Sequence, residues 1–237
     1  MKYKFNNMCK IILLTFFIAL FTQTSANGVA TIIRVALRPD MPPYQFVENG
    51  KLTGVHIDLM NSIAEKYNFI IEYIPTENDK KSYEALENNE VDIVLGVINN
   101  NNLKYREQAT DSISQSSIFM ITLDENVDML KEEMDTGKLI AVLQNDTIGY
   151  SYIREMSNLR YTVVSDQVRA FDILKSRKAD LLIGVKGSIL YQLEKDNLEE
   201  NYTIVSNYMV PIEYTMIAKP GDKELLYKLN IGLKELR

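Results

Sequence analysis

The 237-residue chain has one cysteine, Cys9, and one histidine, His56. Cys9 precedes the first apolar run, so the chain beyond that run has no thiol. Disulfides and thiolate metal sites are thereby excluded there. One histidine cannot build a zinc site of histidines. The acidic residues show no calcium-loop spacing of the D-x-[DN]-x-[DN]-G kind. Neither a Ser-His-Asp set nor a G-x-S-x-G elbow is present. The carboxylate pairs Glu132-Glu133 and Glu199-Glu200 lie among polar residues that give no reason for a raised pKa. No cofactor motif is found, and the chain reads as non-enzymatic. Low-complexity linkers are also missing; the one homopolymer, Asn99 to Asn102, reads as a loop.

The N-terminus carries a compartment signal. Lys2, Lys4 and Lys10 precede the uncharged run Ile11 to Phe21, and Thr24 and Ala26 occupy the two positions a signal peptidase reads. This is the layout of a secretory signal over residues 1–26. Its apolar core is shorter than the ~20 residues of a spanning helix, although an uncleaved anchor is the alternative reading. The expected location is extracytoplasmic. Without the leader, 23 basic residues face 32 acidic ones, a net charge near −9. Nucleic acid and anionic membranes are poor partners for such a surface.

Some 210 residues remain, enough for one large domain or two lobes of about 100 residues. Short β-rich runs alternate with helical stretches. Strands are expected at Thr31 to Leu37, Phe69 to Ile74, Val91 to Leu95, Leu139 to Leu143, Tyr161 to Val164, Asp180 to Ile183, Tyr202 to Val205 and Tyr214 to Ala218. Pro39, Pro42 and Pro43 close the first of them. Apolar residues at Val55, Leu59, Ile63 and Tyr67 line one helical face. Further helices are expected at Tyr83 to Asn88, Thr147 to Met156, Ser165 to about Arg177, Ser188 to Asp196 and from Lys223 onward. Such alternation implies mainly parallel sheet with helices on both faces. Two runs share one order: Val91-Asp92-Ile93-Val94-Leu95-Gly96 and Ala179-Asp180-Leu181-Leu182-Ile183-Gly184. The repetition is read as two similar lobes, not one long sheet.

Several pieces, in order, resemble the family 3 extracellular solute-binding proteins, the amino-acid-binding periplasmic class. They are Pro42-Pro43-Tyr44-Gln45-Phe46, Gly50-Lys51-Leu52-Thr53-Gly54 with Ile57-Asp58-Leu59, and Ala85 to Val94. Arg106 with Asp111, Val142 to Thr147, and Ala170 to Leu174 followed by Ala179-Asp180 complete the series. The resemblance implies an α/β fold of the type II periplasmic binding protein kind, two lobes joined by a two-strand hinge. Residues 31–118 with 210–237 would form lobe one, and 123–205 lobe two. Ile118 to Leu123 and Ser206 to Ile212 would be the hinge. Solute would lie between the lobes, and closure would bury it.

The resemblance also implies site residues. Arg106 matches the arginine that grips a ligand carboxylate, for which a guanidinium offers two parallel donors. Thr147 falls at a second carboxylate contact, at a helix start that attracts negative charge and where the same residue can serve as a plain cap. Tyr44 and Phe46 follow the double proline and would form an apolar ligand-facing wall on lobe one; the competing reading is ordinary core packing, the better one for Phe46, while Tyr44 is the better cleft candidate. His56 is expected to face solvent or cap a helix. The aspartate that meets a ligand's α-amino group falls at Val185, a residue unable to balance an ammonium. Leu103 replaces a threonine three residues before the arginine.

The expected activity is therefore extracytoplasmic binding of a small polar or anionic solute, as a receptor that delivers it to an ABC permease. An alternative is the sensing input domain of a membrane histidine kinase or diguanylate cyclase, for which the chain would be a fragment ending inside its last helix. A dehydratase or lyase-associated relative is the third reading.

Overall fold

Period-2 alternation decides which way each strand faces. Val35 and Leu37 pack on one side and Ala36 on the other; Ile93 and Leu95 oppose Val94 and Val97 in the same way. In the computed structural model, residues 30–99, 104–133, 139–144, 159–164 and 167–237 are described. Eleven strands are assigned among them: β1 (Thr31–Leu37), β2 (Asp40–Met41), β3 (Gln45–Glu48), β4 (Lys51–Thr53), β5 (Phe69–Pro75), β6 (Ile93–Ile98), β7 (Ser114–Leu123), β8 (Ile140–Gln144), β9 (Arg160–Val164), β10 (Leu181–Val185) and β11 (Tyr202–Ala218). The helices are α1 (Val55–Tyr67), α2 (Asp79–Glu87), α3 (Val127–Glu133), α4 (Gln167–Lys175), α5 (Lys186–Asp196) and α6 (Lys223–Glu235).

Eight strands join in the order β5-β1-β6-β11-β7-β10-β8-β9, and β2-β3-β4 form a small separate sheet. β1 pairs parallel with β6, and β8 pairs parallel with both β9 and β10. The centre is antiparallel: β11 pairs with β6 and β7, and β10 with β7. The two halves therefore share one continuous ladder through β7 and β11, which corrects the expectation of separate sheets. Each half keeps its own parallel flank. The expected hinge segments fall in the C-terminal part of β7 and in the middle of β11, where the register shifts between Val205 and Val210.

Helices cover both faces. α1 and α6 bury Ile57, Met60, Ile63, Leu225, Leu229 and Leu233 against β1, β6 and β11, while Ala85 and Leu86 of α2 cover the opposite face. In the other half, Ala170, Phe171 and Leu174 of α4 and Ile189 and Leu193 of α5 pack on Phe119, Val142 and Leu182. Each buried aliphatic side chain contributes about 1.5–3 kcal/mol.

The repeated aspartates have one structural job. Asp92 Oδ2 accepts from the backbone N–H of Arg34 at 3.0 Å, in the middle of β1. Asp180 Oδ2 accepts from the backbone N–H of Ile140 at 2.8 Å, at the entry of β8. Each carboxylate ties its strand to the parallel neighbour. Asp92 also takes the Arg34 guanidinium at 3.1 Å and Lys219 Nζ at 2.9 Å. Those cations outweigh its burial and hold the carboxyl down at about 2.

Both strands run past the glycines expected to end them. β6 continues through Gly96, whose φ of 74° lies opposite a register shift between Thr215 and Met216. This is a bulge built on a left-handed glycine. β10 continues through Gly184 to Val185, pairing with Phe119 and Ile118. α2 starts four residues earlier than expected because the Asn78 side chain accepts from Lys81 N–H at 3.0 Å. The expected helix Thr147 to Met156 lies outside the described residues, as does the Ser165 cap. Among the described residues no helix is long and apolar enough to cross a membrane.

Candidate functional site

The double proline, with a cis Pro42–Pro43 bond, leads into Tyr44, and the start of α1 fixes Tyr44's backbone. Val55 N–H donates to Pro43 O at 3.0 Å and His56 N–H to Tyr44 O at 2.8 Å. Orphan amides of the helix start thus take the carbonyls of the proline turn. Gly54 permits the approach: its φ is 120°, and a Cβ there would stand 2.4 Å from Tyr44 O.

Tyr44 is buried. Its ring centroid lies 4.8 Å from Tyr214 and 5.2 Å from His56, and His56 lies 5.1 Å from Tyr214. Tyr44 Oη donates to Ser116 Oγ of β7 at 2.7 Å and lies against Gly187 in the first turn of α5. Burial pushes the phenol's pKa up, against the pull of those two partners. Tyr44 also joins an apolar cluster that draws on β7 (Ile118, Met120), β8 (Ala141, Leu143), β10 (Leu181, Ile183) and β11 (Ile212, Tyr214).

His56 differs from expectation. It is wholly buried, not solvent-facing. Nδ1 lies 3.2 Å from Gln45 Oε1, and Nε2 lies 2.7 Å from Ser114 Oγ. Gln45 Nε2 donates to Leu95 O at 3.3 Å, which leaves Oε1 as the acceptor. Nδ1 therefore carries the proton, and Nε2 accepts from Ser114. Burial pushes the imidazole down to about 3, so it is neutral at pH 7. A serine, a histidine and an orienting amide are thus aligned, yet the ring lies under two tyrosines in the core. The arrangement pins β3, α1 and β7 together. Sequence spacing could have found it, because His56 shares the stripe of Met60, Ile63 and Tyr67 at helical intervals.

Phe46 is half-buried and outside the core clusters, contrary to the expected packing; its ring meets the edge of Tyr191 of α5 at 5.3 Å. Glu48 Oε1 accepts from Tyr191 Oη at 3.0 Å. The structure thus brings Tyr44 and Phe46 together on one face toward α5. Arg106 is placed elsewhere in the same half, exposed in a 3-10 turn (Arg106–Gln108). That turn is anchored by the buried Tyr105, whose hydroxyl meets Glu87 and whose ring lies 5.4 Å from Tyr83, and by the bridge between Ala109 and Ile217. Thr147 and Leu103 lie outside the described residues. Val185 ends β10 immediately before α5, with Gly187 two residues on. Among the described residues no group of three or more His, Cys, Asp or Glu side chains could hold a metal ion.

Comparison with known proteins agrees with this architecture. A probable histidine-binding protein of Campylobacter jejuni is 27% identical over 190 residues, which cover 78% of this chain and 70% of that protein. A substrate-binding protein of an ABC uptake transporter from Streptococcus pneumoniae, with bound histidine, superposes with a TM-score of 0.74 at 19% identity, covering 86% of each chain. An ancestral arginine-binding protein bound to arginine gives a TM-score of 0.71 at 22% identity, covering 88% of this chain and 93% of that one. These two structures establish the type II periplasmic binding protein fold. The model of the bacterial extracellular solute-binding proteins, family 3, matches residues 33–237, and the chain belongs to that family.

Proposed function

We propose that this protein is an extracytoplasmic receptor that binds a small carboxylate-bearing solute between its two lobes and presents it to an ABC permease. The antiparallel pairing of β7 with β11, which joins the two parallel flanks, carries the reading. Among the described residues, β7 and β11 run between the two parallel flanks, the kind of link about which two halves can open and close, and Phe46 faces Tyr191 across them. Arg106 supplies the carboxylate grip and Thr147 a second contact at a helix start. Family relatives that bind histidine and arginine make amino acids the first class to test.

Val185 narrows the choice. Its side chain cannot accept from an ammonium, and an unbalanced buried charge costs several kcal/mol. We therefore favour an organic acid, or an amino acid whose amino end stays solvated, over the usual α-amino pose. Calorimetry on the purified protein, with the twenty amino acids and a panel of small carboxylic acids, tests this. Binding of a carboxylate supports the proposal, whereas silence across both panels removes it. Strong binding of a common amino acid that survives Arg106→Ala would refute the assigned pose.

The substitution at Val185 also favours a second reading, a sensing input domain with a relaxed pocket. Reconstitution with a permease separates the two, because only the receptor drives uptake. Catalysis is not part of the proposal. Turnover of prephenate or arogenate by the purified protein would overturn that point.

A further inference from the structure

We propose that Asn201 is an attachment site for an N-linked glycan, a modification independent of the solute-binding reading. The chain has two Asn-x-Ser/Thr acceptor triplets, Asn145-Asp146-Thr147 and Asn201-Tyr202-Thr203. The first lies outside the described residues. The second ends the 3-10 turn Glu199–Asn201 and opens β11. It alone has a carboxylate two residues ahead in sequence, Glu199, where the position before Asn145 holds Leu143. A negative charge beside the acceptor is a handle by which a cationic groove selects it. The pair Glu199-Glu200, which has no part in the solute site, thus leads directly into an acceptor. The family to which the chain belongs acts outside the cell, where such modification is met.

The fold suits a glycan at this position. Asn201 is exposed, while its backbone N–H closes the turn on Leu198 O at 3.0 Å. Tyr202 is buried and pairs with Leu123 of β7, and Thr203 Oγ1 donates to Asp124 Oδ1 at 2.5 Å. The hydroxyl that a transferase reads is therefore engaged once β11 has joined the sheet. Transfer belongs to the emerging chain, and folding then covers Tyr202 and leaves the sugar outside. Nδ2 of Asn201 bonds to C1 of a sugar delivered as a polyprenyl-diphosphate-linked oligosaccharide. The C1–O bond breaks, the lipid diphosphate leaves with the electron pair, and the amide proton passes to a carboxylate of the transferase. α5 separates this turn from the candidate cleft. Its first turn lies against Tyr44 at Gly187, and its far end leads through Asn197 into the turn. Its 11 residues span about 16 Å, so the glycan stands clear of the Tyr44 end.

The test needs no solute. The full chain is exported from a bacterial host that supplies a membrane oligosaccharyltransferase and its lipid-linked oligosaccharide, and intact mass and glycopeptide spectra are recorded. One oligosaccharide increment is expected on the peptide that contains Asn201, and it should vanish when the transferase is omitted. Asn201→Gln and Thr203→Val should abolish it, whereas Thr203→Ser should keep it. Asn145→Gln should leave it whole. Glu199→Gln should lower the modified fraction severalfold. If Thr203→Val fails to fold, Asn201→Gln, a change at an exposed position, decides alone. Unmodified protein, an increment on Asn145 in place of Asn201, or an increment that survives Asn201→Gln overturns the proposal. An unchanged fraction in Glu199→Gln overturns the part given to that carboxylate.

Discussion

His56 Nε2 accepts a hydrogen bond from Ser114 Oγ at 2.7 Å across the junction of α1 and β7. The histidine has no exposure to solvent, and burial holds its pKa at about 3. In the unfolded chain the same group titrates near 6.5. The folded value is depressed, so the unfolded chain binds the extra proton first. Stability from this residue is whole above about pH 6.5 and is lost as pH falls toward about 3. Denaturant midpoints measured across that window should fall with a slope of up to about 1.4 kcal/mol per pH unit from this group. In His56→Gln the slope should flatten. Ser114→Ala should cost about 1–3 kcal/mol at pH 7, since it leaves a buried acceptor unsatisfied.

Asp92 sets the acid limit differently. Its carboxyl is held near 2 by Arg34 and Lys219 against an ordinary 3.8. The stability it adds is present above about pH 4 and is lost as pH falls through 2. Asp92→Ala removes the acceptor of the Arg34 backbone N–H and leaves two partly exposed cations without their partner, and should cost about 1–3 kcal/mol. Asp180→Ala, whose described role is to accept one backbone N–H, should cost about 1 kcal/mol. Urea unfolding of the two variants checks the difference.

Gly54→Ala should be among the most disruptive single-methyl changes in the protein. The new Cβ would meet Tyr44 O at 2.4 Å and Pro43 O at 2.8 Å, at a φ of 120° that side chains avoid. A loss of more than about 2 kcal/mol is expected. Gly221→Ala shares a positive φ but meets open space, so about 1 kcal/mol is expected there. Paired thermal melts compare them directly.

The sequence made the strand faces legible because buried parallel strands leave a plain signal: Val35, Ile93, Leu143 and Ile183 lie where alternation puts them. The Asp-to-Gly repeat was legible as a repeat, and its chemistry is now visible in the matching backbone contacts of Asp92 and Asp180. What escaped was tertiary. Tyr202 to Ala218 contains Pro211 and a register shift, so local pattern divided one 17-residue strand into two with a hinge between. A stripe counted from Val55 turns the helix face by one residue and puts His56 outside it, whereas Val55 is half exposed and the buried stripe starts at His56 and Ile57. The contact of Tyr44 with Gly187 joins positions 143 residues apart, and no short-range pattern encodes it.

The account stands most directly on whether Arg106 holds the solute. Titration calorimetry of the best-binding carboxylate into the unsubstituted protein and into Arg106→Ala should show a loss of roughly 10- to 100-fold, as expected when charge-assisted hydrogen bonds to the carboxylate are removed. Arg106→Lys should recover only part of it, because a single ammonium cannot reproduce the paired donors. Equal affinity in all three proteins would contradict the account.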